Sequence, residues 1–182
     1  LNKEGYVLTF SNLYTKELLK KNHKVLVVSC AKGGTSFIDN DWNKGNKLYE
    51  DAVERTNYVL SHFKGSKLIA ILWHQGESDV GNNNYQTDLD HFILNLRKDL
   101  NTKDTPFILG GMVPFWVGQD ANRMAIQNII KDTPNRISNT KYTNPEFPFV
   151  IEKKDNSFNS IHYNAQGLRE LGQRYFTEYT SF

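Results

Sequence analysis

The chain has 182 residues, of which 38% are hydrophobic and 23% charged, as is ordinary for one globular domain with a hydrophobic core. Its formal net charge of +2 is too small to favour nucleic acid or a membrane surface as a partner. No apolar run approaches the ~20 residues of a membrane-spanning helix, and Cys30, the single cysteine, excludes an internal disulfide or a cysteine zinc cluster. We therefore expect a soluble protein, secreted or cytoplasmic, with no nucleic-acid or membrane partner.

Apolar runs and amphipathic patterns alternate along the chain. The apolar runs lack strict alternation, which is typical of parallel strands that are buried on both faces. In chain order, the patterns predict helix Phe10–Lys21, strand Val25–Ser29, helix Leu48–Phe63, strand Leu68–Trp73, helix Tyr85–Leu100, strand Phe107–Val113, helix Ala121–Ile130, strand Phe147–Ile151 and helix Ala165–Tyr179. Asn164 is placed to cap the last helix. This alternation predicts a three-layer α/β domain with a parallel sheet, in which ligands bind beyond the carboxyl ends of the strands.

Gly33 and Gly34 follow the first predicted strand, within the stretch Ala31–Ser36. Two glycines let the backbone turn tightly and expose its amide N–H groups, which is typical of a site for an anion or an oxyanion. The phosphate-loop pattern is not matched, because Thr35 follows Gly34 where that pattern has a lysine. An ordinary turn after a strand is the alternative interpretation.

The stretch Trp73–Asp79 ends the second predicted strand with a dense group of polar side chains. Gln75 offers an amide N–H₂ group to an oxyanion, and the carboxylate of Glu77 can orient an imidazole ring. A nucleophile elbow around Ser78 is disfavoured, because the required glycine is displaced by one residue. A metal site formed by His74 and Glu77 is also disfavoured, since the pattern offers no third ligand.

His162 lies in the last predicted loop, directly before the terminal helix. A histidine in such a loop is well placed to act as a general base. Alone it would more often be a structural or exposed histidine. Because the two other polar clusters follow strand ends, the predicted fold brings all three clusters towards one edge of the sheet.

Several short motifs follow one another along most of the chain. The motifs are Gly33–Ser36, Trp42 with Gly45, Leu48 with Tyr49, Trp73–Asp79, and His162. In this order they resemble the SGNH hydrolases, and more narrowly carbohydrate-esterase family 6 and the sialate O-acetylesterases. The resemblance implies a flavodoxin-like three-layer αβα sandwich with a parallel sheet. It also implies an acetylesterase that removes O-acetyl groups from carbohydrates such as acetylxylan or sialic acid.

The resemblance implies a Ser-His-Asp mechanism with no metal and no cofactor. His162 would take the proton of the serine and later activate water. Backbone N–H groups of Gly33 or Gly34, together with the side chain of Gln75, would hold the oxyanion. Loss of one such donor typically lowers the rate by ~10²–10³.

The nucleophile motif of the family, a Gly-Gln-Ser-Asn block at the end of the first strand, does not occur in this sequence. The first strand of the family is missing with it. We therefore expect residues 1–182 to form a single SGNH-type esterase domain that is incomplete at its N-terminus. The serine would then come from an N-terminal segment or from another chain. Ser36 and Ser78 are the less favoured alternatives within the sequence.

Asn159 stands three residues before His162, where the family has an aspartate. An asparagine can accept a hydrogen bond from imidazole but cannot stabilise its charge, and this change in a triad can lower the rate by ~10⁴. Glu77 or Asp155 could supply the missing charge, and we favour Glu77 because it lies in the most specific motif. The candidate catalytic residues are thus Glu77, Asn159 and His162. The alternatives are a catalytically inactive SGNH domain that acts as a glycan-binding or interaction module, and a hydrolase of another ester or thioester.

Overall fold

Helices and parallel strands alternate in the computed structural model, which describes residues 5–152 and 160–182. The helices in these ranges are α1 Tyr6–Glu17, α2 Lys47–His62, α3 Tyr85–Asp99, α4 Pro114–Val117, α5 Ala121–Arg136 and α6 Ala165–Thr180. The strands are β1 Ile71–Trp73, β2 Phe107–Gly110 and β3 Thr140–Thr143, and a 3₁₀ turn spans Glu77–Asp79. β1 and β2 lie inside two of the predicted runs, although both are shorter than predicted.

The three strands form one parallel sheet in the order β1-β2-β3. Phe107, at the start of β2, lies opposite Ile71 of β1 and Thr140 of β3. β2 is the central strand, and all of its residues are buried. The predicted α/β class with a parallel sheet is confirmed.

Successive side chains of β2 face two different layers of helices. The ring of Phe107 meets the Phe92 ring of α3 edge-on, with centroids 6.3 Å apart. On the opposite face, a side chain at Gly110 would collide with Tyr175 of α6. α3 also packs on α5, and α1 packs on α6. The sheet therefore lies between a layer of α3 and α5 and a layer of α1 and α6, as predicted for a three-layer fold.

The prediction of a strand at Val25–Ser29 is wrong. Within the described residues this segment makes no backbone hydrogen bond to a strand, and Leu26 and Val27 are 60% and 41% exposed. A strand requires a neighbour that satisfies its backbone N–H and C=O groups. β1 pairs with β2 alone among the described strands, so its other edge is open. The described residues thus contain both an exposed apolar segment and an open sheet edge.

The prediction of a strand at Phe147–Ile151 is also wrong, and the third strand is Thr140–Thr143. The proline in the predicted run has no N–H to donate to a ladder. In addition, the guanidinium group of Arg174 in α6 binds two carbonyl oxygens of this run, at 2.9 Å from Phe147 and 2.7 Å from Phe149. Carbonyl groups that a neighbouring strand would use are therefore bound by a side chain.

A buried arginine holds the loops that lead into β2 and β3. Arg97 of α3 donates to the carbonyl oxygens of Thr105, Ser138 and Asn139, at 2.9, 2.8 and 2.5 Å. β3 itself reads Thr-Lys-Tyr-Thr, so hydrophobicity gives no signal for it. Its position is decided by its pairing with β2 and by these contacts with α3.

Most predicted helices agree with the structure, but three boundaries differ. α1 begins at Tyr6 rather than Phe10 and ends at Glu17 rather than Lys21. α5 continues to Arg136 rather than ending at Ile130. A salt bridge from the last residue of α5 to α3 stabilises the additional turns. The short helix α4 has no counterpart among the predicted elements. The side chain of Asn164 accepts a backbone N–H of the first turn of α6 at 2.8 Å, which confirms the predicted cap.

Candidate active site

The chain turns sharply at Gly76, just after β1. Its φ of 144° is rarely adopted by residues with a side chain. A Cβ atom here would lie 2.9 Å from Cδ1 of Ile130 and 3.1 Å from Cγ2 of Ile126, both on α5. Glycine thus lets the backbone approach α5 closely. Because Gly76 follows β1 in the chain, the polar side chains beside it lie at the carboxyl end of that strand, where ligands bind in parallel sheets.

Gln75 is buried at this turn, and both ends of its side-chain amide are engaged. Nε2 donates to Oδ2 of Asp79 at 2.5 Å and, over a long 3.4 Å, to the carbonyl oxygen of Thr35. Oε1 accepts the hydroxyl of Tyr85 at 3.2 Å. Burial raises the pKa of Tyr85 well above its ordinary value, so the hydroxyl stays a donor. These partners determine which end of the amide carries the N–H₂ group.

Glu77 is the charged centre of the site. Its Oε1 lies 3.4 Å from Nε2 of His74. Burial acts to raise the pKa of Glu77, but the hydrogen bond to His74 and the charges of His74 and His162 bring this pKa below its ordinary value. The carboxylate is therefore ionised although it is largely enclosed. The effect of His162 places the last loop within electrostatic reach of the end of β1.

Tyrosine rings enclose His74. The ring centroids of Tyr6 and Tyr163 lie 5.8 and 5.9 Å from that of His74. Tyr175 stacks on Tyr6, with centroids 4.8 Å apart, and donates to the last carbonyl oxygen of β1 at 2.6 Å. Sequence reasoning missed these rings because Tyr6 and Tyr175 lie outside every motif. The enclosure lowers the local dielectric and so strengthens the electrostatic interactions of the site.

The loop that carries His162 is anchored by the two residues that follow the histidine. The hydroxyl of Tyr163 donates to the carbonyl oxygen of Gly111 at 2.9 Å, directly after β2. Asn164, the next residue, caps α6. His162 itself is exposed. Its imidazole is thus accessible to a substrate while its backbone is held in place.

Gly33 and Gly34 form an exposed turn that is tied to Gln75 through the next residue. The hydroxyl of Thr35 donates to the carbonyl oxygen of Lys32 at 2.7 Å and accepts the indole N–H of Trp42 at 2.9 Å. Its carbonyl oxygen is the one that faces Gln75. Within the described part of the chain, the backbone N–H groups of the two glycines have no acceptor. The three predicted oxyanion donors therefore lie on adjoining segments, and their catalytic role stays a prediction.

The two candidate serine nucleophiles within the sequence differ in accessibility. Ser36 is fully buried, and its hydroxyl donates to Oδ2 of Asp39 at 2.6 Å. Ser78 is exposed in the 3₁₀ turn after Gly76. Asn159 and Asp155, the other predicted partners of the histidine, lie outside the described residues.

The pair His74 and Glu77 is the disfavoured candidate for a metal site. Among residues 5–152 and 160–182, no group of three or more His, Cys, Asp or Glu side chains is arranged to hold a metal ion. The pair therefore has no third ligand of these types in that part of the chain. Among the same residues, no helix combines the length and the apolar character needed to cross a membrane.

The motifs and this fold agree with a comparison against protein families. The family described as carbohydrate esterase, sialic acid-specific acetylesterase, matches residues 2–181. The chain belongs to this carbohydrate-esterase family. The resemblance identified from the motifs is thus confirmed.

Two relatives are similar to this chain over part of their length. A probable carbohydrate esterase of Arabidopsis thaliana is 37% identical over 108 residues, which cover 57% of this chain and 40% of the plant protein. A probable 9-O-acetyl-N-acetylneuraminic acid deacetylase of Escherichia coli K12 is 26% identical over 122 residues, which cover 52% of this chain and 37% of the bacterial protein. The chain therefore spans about two fifths of the length of these relatives.

The crystal structure of NanS shares the fold, with a TM-score of 0.80 and 18% sequence identity. The superposition covers 98% of this chain and 71% of NanS. At this identity the likeness concerns the arrangement of helices and strands, and it supports the three-layer α/β fold of the carbohydrate-esterase chain.

Gly76→Ala is expected to lower the free energy of unfolding by about 2–4 kcal/mol, because it adds strain at a positive φ and a clash with α5. Chemical denaturation measures the change. Gly81→Ala is the matched control, since Gly81 also has a positive φ, of 91°, but open space around it. The control should lose about 1–2 kcal/mol. Equal losses in both variants would contradict the importance of the close approach to α5.

Glu77→Gln is expected to flatten the acid dependence of stability. The folded pKa of Glu77 lies below its ordinary value of 4.5, so its contribution is fully present above that value and is lost as the pH falls through the folded pKa. Thermal unfolding from about pH 7 to about pH 3 should show the two Tm values converging in acid. Glu17→Gln, at the exposed end of α1, should keep the dependence of the wild type. A gap that is constant or widens in acid would contradict the lowered pKa.

Proposed function

We propose that this chain carries the general base, its acidic partner and the oxyanion donors of a serine esterase that removes O-acetyl groups from carbohydrates. The observation that carries the proposal is the position of Glu77 after β1, with its Oε1 3.4 Å from Nε2 of His74 and within electrostatic reach of His162. Membership of the carbohydrate-esterase family supports the class of bond. The proposed reaction needs no cofactor.

The reaction would proceed through an acetyl-serine. His162 takes the proton of a serine hydroxyl while the serine oxygen attacks the acetyl carbonyl carbon. The bond between that carbon and the sugar oxygen then breaks, and His162 gives its proton to the sugar oxygen. Water next attacks the acetyl-serine, again with His162 as the base. Acetate leaves, and the proton returns to the serine.

Glu77 would supply the negative charge that Asn159 lacks. A carboxylate near the imidazole stabilises the imidazolium that forms in each step. Its contact with His74, whose ring is itself enclosed by tyrosines, holds Glu77 in a partly dehydrated position, where its charge acts strongly. Asn159 would orient the ring of His162 through a neutral hydrogen bond.

The oxyanion of each tetrahedral intermediate would be bound by Gly33 or Gly34 and by Gln75. The glycine N–H groups are exposed and have no acceptor in the described residues. The second N–H of Gln75 is held by the Thr35 carbonyl oxygen only at 3.4 Å, so exchanging this acceptor for an oxyanion costs little. Such donors act most strongly on charge that develops in the transition state.

The serine would come from an N-terminal segment or another chain that adds a strand at the open edge of β1. This edge and the exposed apolar segment Val25–Ser29 support the proposal, because a strand between them would satisfy both. The coverage of NanS, 71% of its length, leaves part of that fold without a counterpart here. Residues 1–182 would then be one SGNH-type domain that is completed from outside the sequence.

The proposed substrates are acetylated carbohydrates of the sialate or acetylxylan type. The family description and the name of the Escherichia coli relative support the sialate type. The less specific name of the Arabidopsis relative leaves room for other acetylated sugars.

The complete protein is expected to hydrolyse p-nitrophenyl acetate and either acetylated xylan or O-acetylated sialic acid. His162→Ala should lower kcat by at least ~10³-fold, because the general base is lost. His91→Ala, an exposed histidine on α3, should leave kcat unchanged. Saturable binding of acetylated glycans without turnover by the folded wild type would instead favour the inactive binding module.

A serine-directed phosphonate should label the complete protein at one residue outside Leu1–Phe182. Peptide mapping by mass spectrometry locates the modified serine. The label should be suppressed in His162→Ala, because the serine loses its base. Modification of Ser36 or Ser78 would contradict an external nucleophile.

A further inference from the structure

Asp79 is a fully buried carboxylate that no cation contacts among the described residues. Its oxygens accept hydrogen bonds from N–H groups instead. The donors are the backbone of Phe37 at 2.9 Å, the backbone of Ile38 at 3.1 Å, Nε2 of Gln75 at 2.5 Å and Nδ2 of Asn82 at 3.0 Å. A buried charge is tolerated only with such a set of donors.

Three of these four donors belong to the two segments that carry the proposed oxyanion site. Phe37 and Ile38 follow the Gly33–Gly34 turn, and Gln75 follows β1. Asp79 therefore joins the glycine turn to Gln75 through one acceptor group. A shift of this carboxylate would move the N–H groups of the glycine turn relative to the side-chain amide of Gln75.

The loop that begins with Gly33 and Gly34, the glycine loop, has two carboxylates of its own. These carboxylates hold the shape of the loop, whereas Asp79 sets its position relative to β1. Oδ2 of Asp41 accepts the backbone N–H of Ser36 at 3.0 Å, and Asp39 accepts the hydroxyl of Ser36. These contacts hold the shape of the loop. Asp79 adds the contact to the end of β1.

We propose that Asp79 is a positioning residue that aims Gln75 at the oxyanion, an inference that rests on the proposed esterase function. The short bond to Asp79 fixes one N–H of the amide. The hydroxyl of Tyr85 fixes the amide oxygen. The other N–H, with its 3.4 Å contact to Thr35, is then the one that turns to the oxyanion. Asp79 acts through Gln75 and does not touch the substrate.

The first test is the kinetics of Asp79→Asn in the complete protein. The N–H₂ group of the new asparagine would face other N–H donors and could not accept from them, so Gln75 would lose its fixed orientation. We therefore expect kcat to fall by ~10–10²-fold while KM stays within about threefold. Asp90→Asn is the control, because this hydrogen-bonded carboxylate pairs with Arg136 between α3 and α5, outside the segments of the oxyanion site, and the variant should keep kcat within about threefold of the wild type. Equal effects of the two variants on kcat would overturn the proposal.

The second test is a double-mutant cycle with Gln75→Ala. If Asp79 acts through Gln75, Asp79→Asn should lower kcat by less than about threefold once Gln75 is absent. If the losses in kcat of the two single variants multiply in the double variant, the proposal is overturned. Should Asp79→Asn not fold, Asn82→Ala weakens the same carboxylate from its other side. The milder variant should show a smaller loss, of about threefold to tenfold, with the same dependence on Gln75.

A third measurement does not depend on activity. One side-chain amide proton of Gln75 should resonate far downfield in NMR spectra, because it is bonded to a carboxylate at short distance. The signal should move in Asn82→Ala and stay in Asp90→Asn. The downfield signal in a folded protein without esterase activity would support the link and overturn the proposed function alone. Esterase activity without this signal would overturn the role of Asp79 alone.

Discussion

A carboxylate can be buried without a cation only if N–H groups satisfy its oxygens, and Asp79 meets this condition with donors from three separate pieces of the chain. The glycine loop, the end of β1 and the loop of Asn82 are held at fixed distances by this one group. Water could not replace these donors, because Asp79 is fully buried. The relative position of the glycine loop and Gln75 therefore depends on satisfying this one buried carboxylate.

Charge and enclosure are arranged so that Glu77 dominates the electrostatics of the site. Burial raises the pKa values of Tyr6 and Tyr175, so these tyrosines stay neutral and act as walls and donors. The pKa of Glu77 moves in the opposite direction, because the hydrogen bond to His74 and the charges of His74 and His162 together outweigh the effect of burial. An ionised carboxylate in an apolar enclosure acts strongly on a nearby imidazole. This is the physical basis for pairing Glu77 with His162.

The helical layers are built around a sheet whose first edge is open among the described strands. β2 is covered on both faces, by Phe92 of α3 on one side and Tyr175 of α6 on the other. β1 has no described strand at its other edge, and the apolar segment Val25–Ser29 is exposed. These two features support the proposal that a further strand extends the sheet. The open edge then marks where the proposed nucleophile would enter.

Features that depend on local patterns and local chemistry could be predicted from the sequence alone. Amphipathic periodicity located α2, α3 and α6, and the motif Trp73–Asp79 identified the family and the main polar cluster. Features that depend on partners distant in the chain emerged only from the tertiary structure. A polar β3 forms because β2 and Arg97 provide its contacts, and Val25–Ser29 is not a strand because it has no neighbour among the described strands. The reason is that backbone groups and buried charges must be satisfied, and sequence patterns do not show which partners will satisfy them.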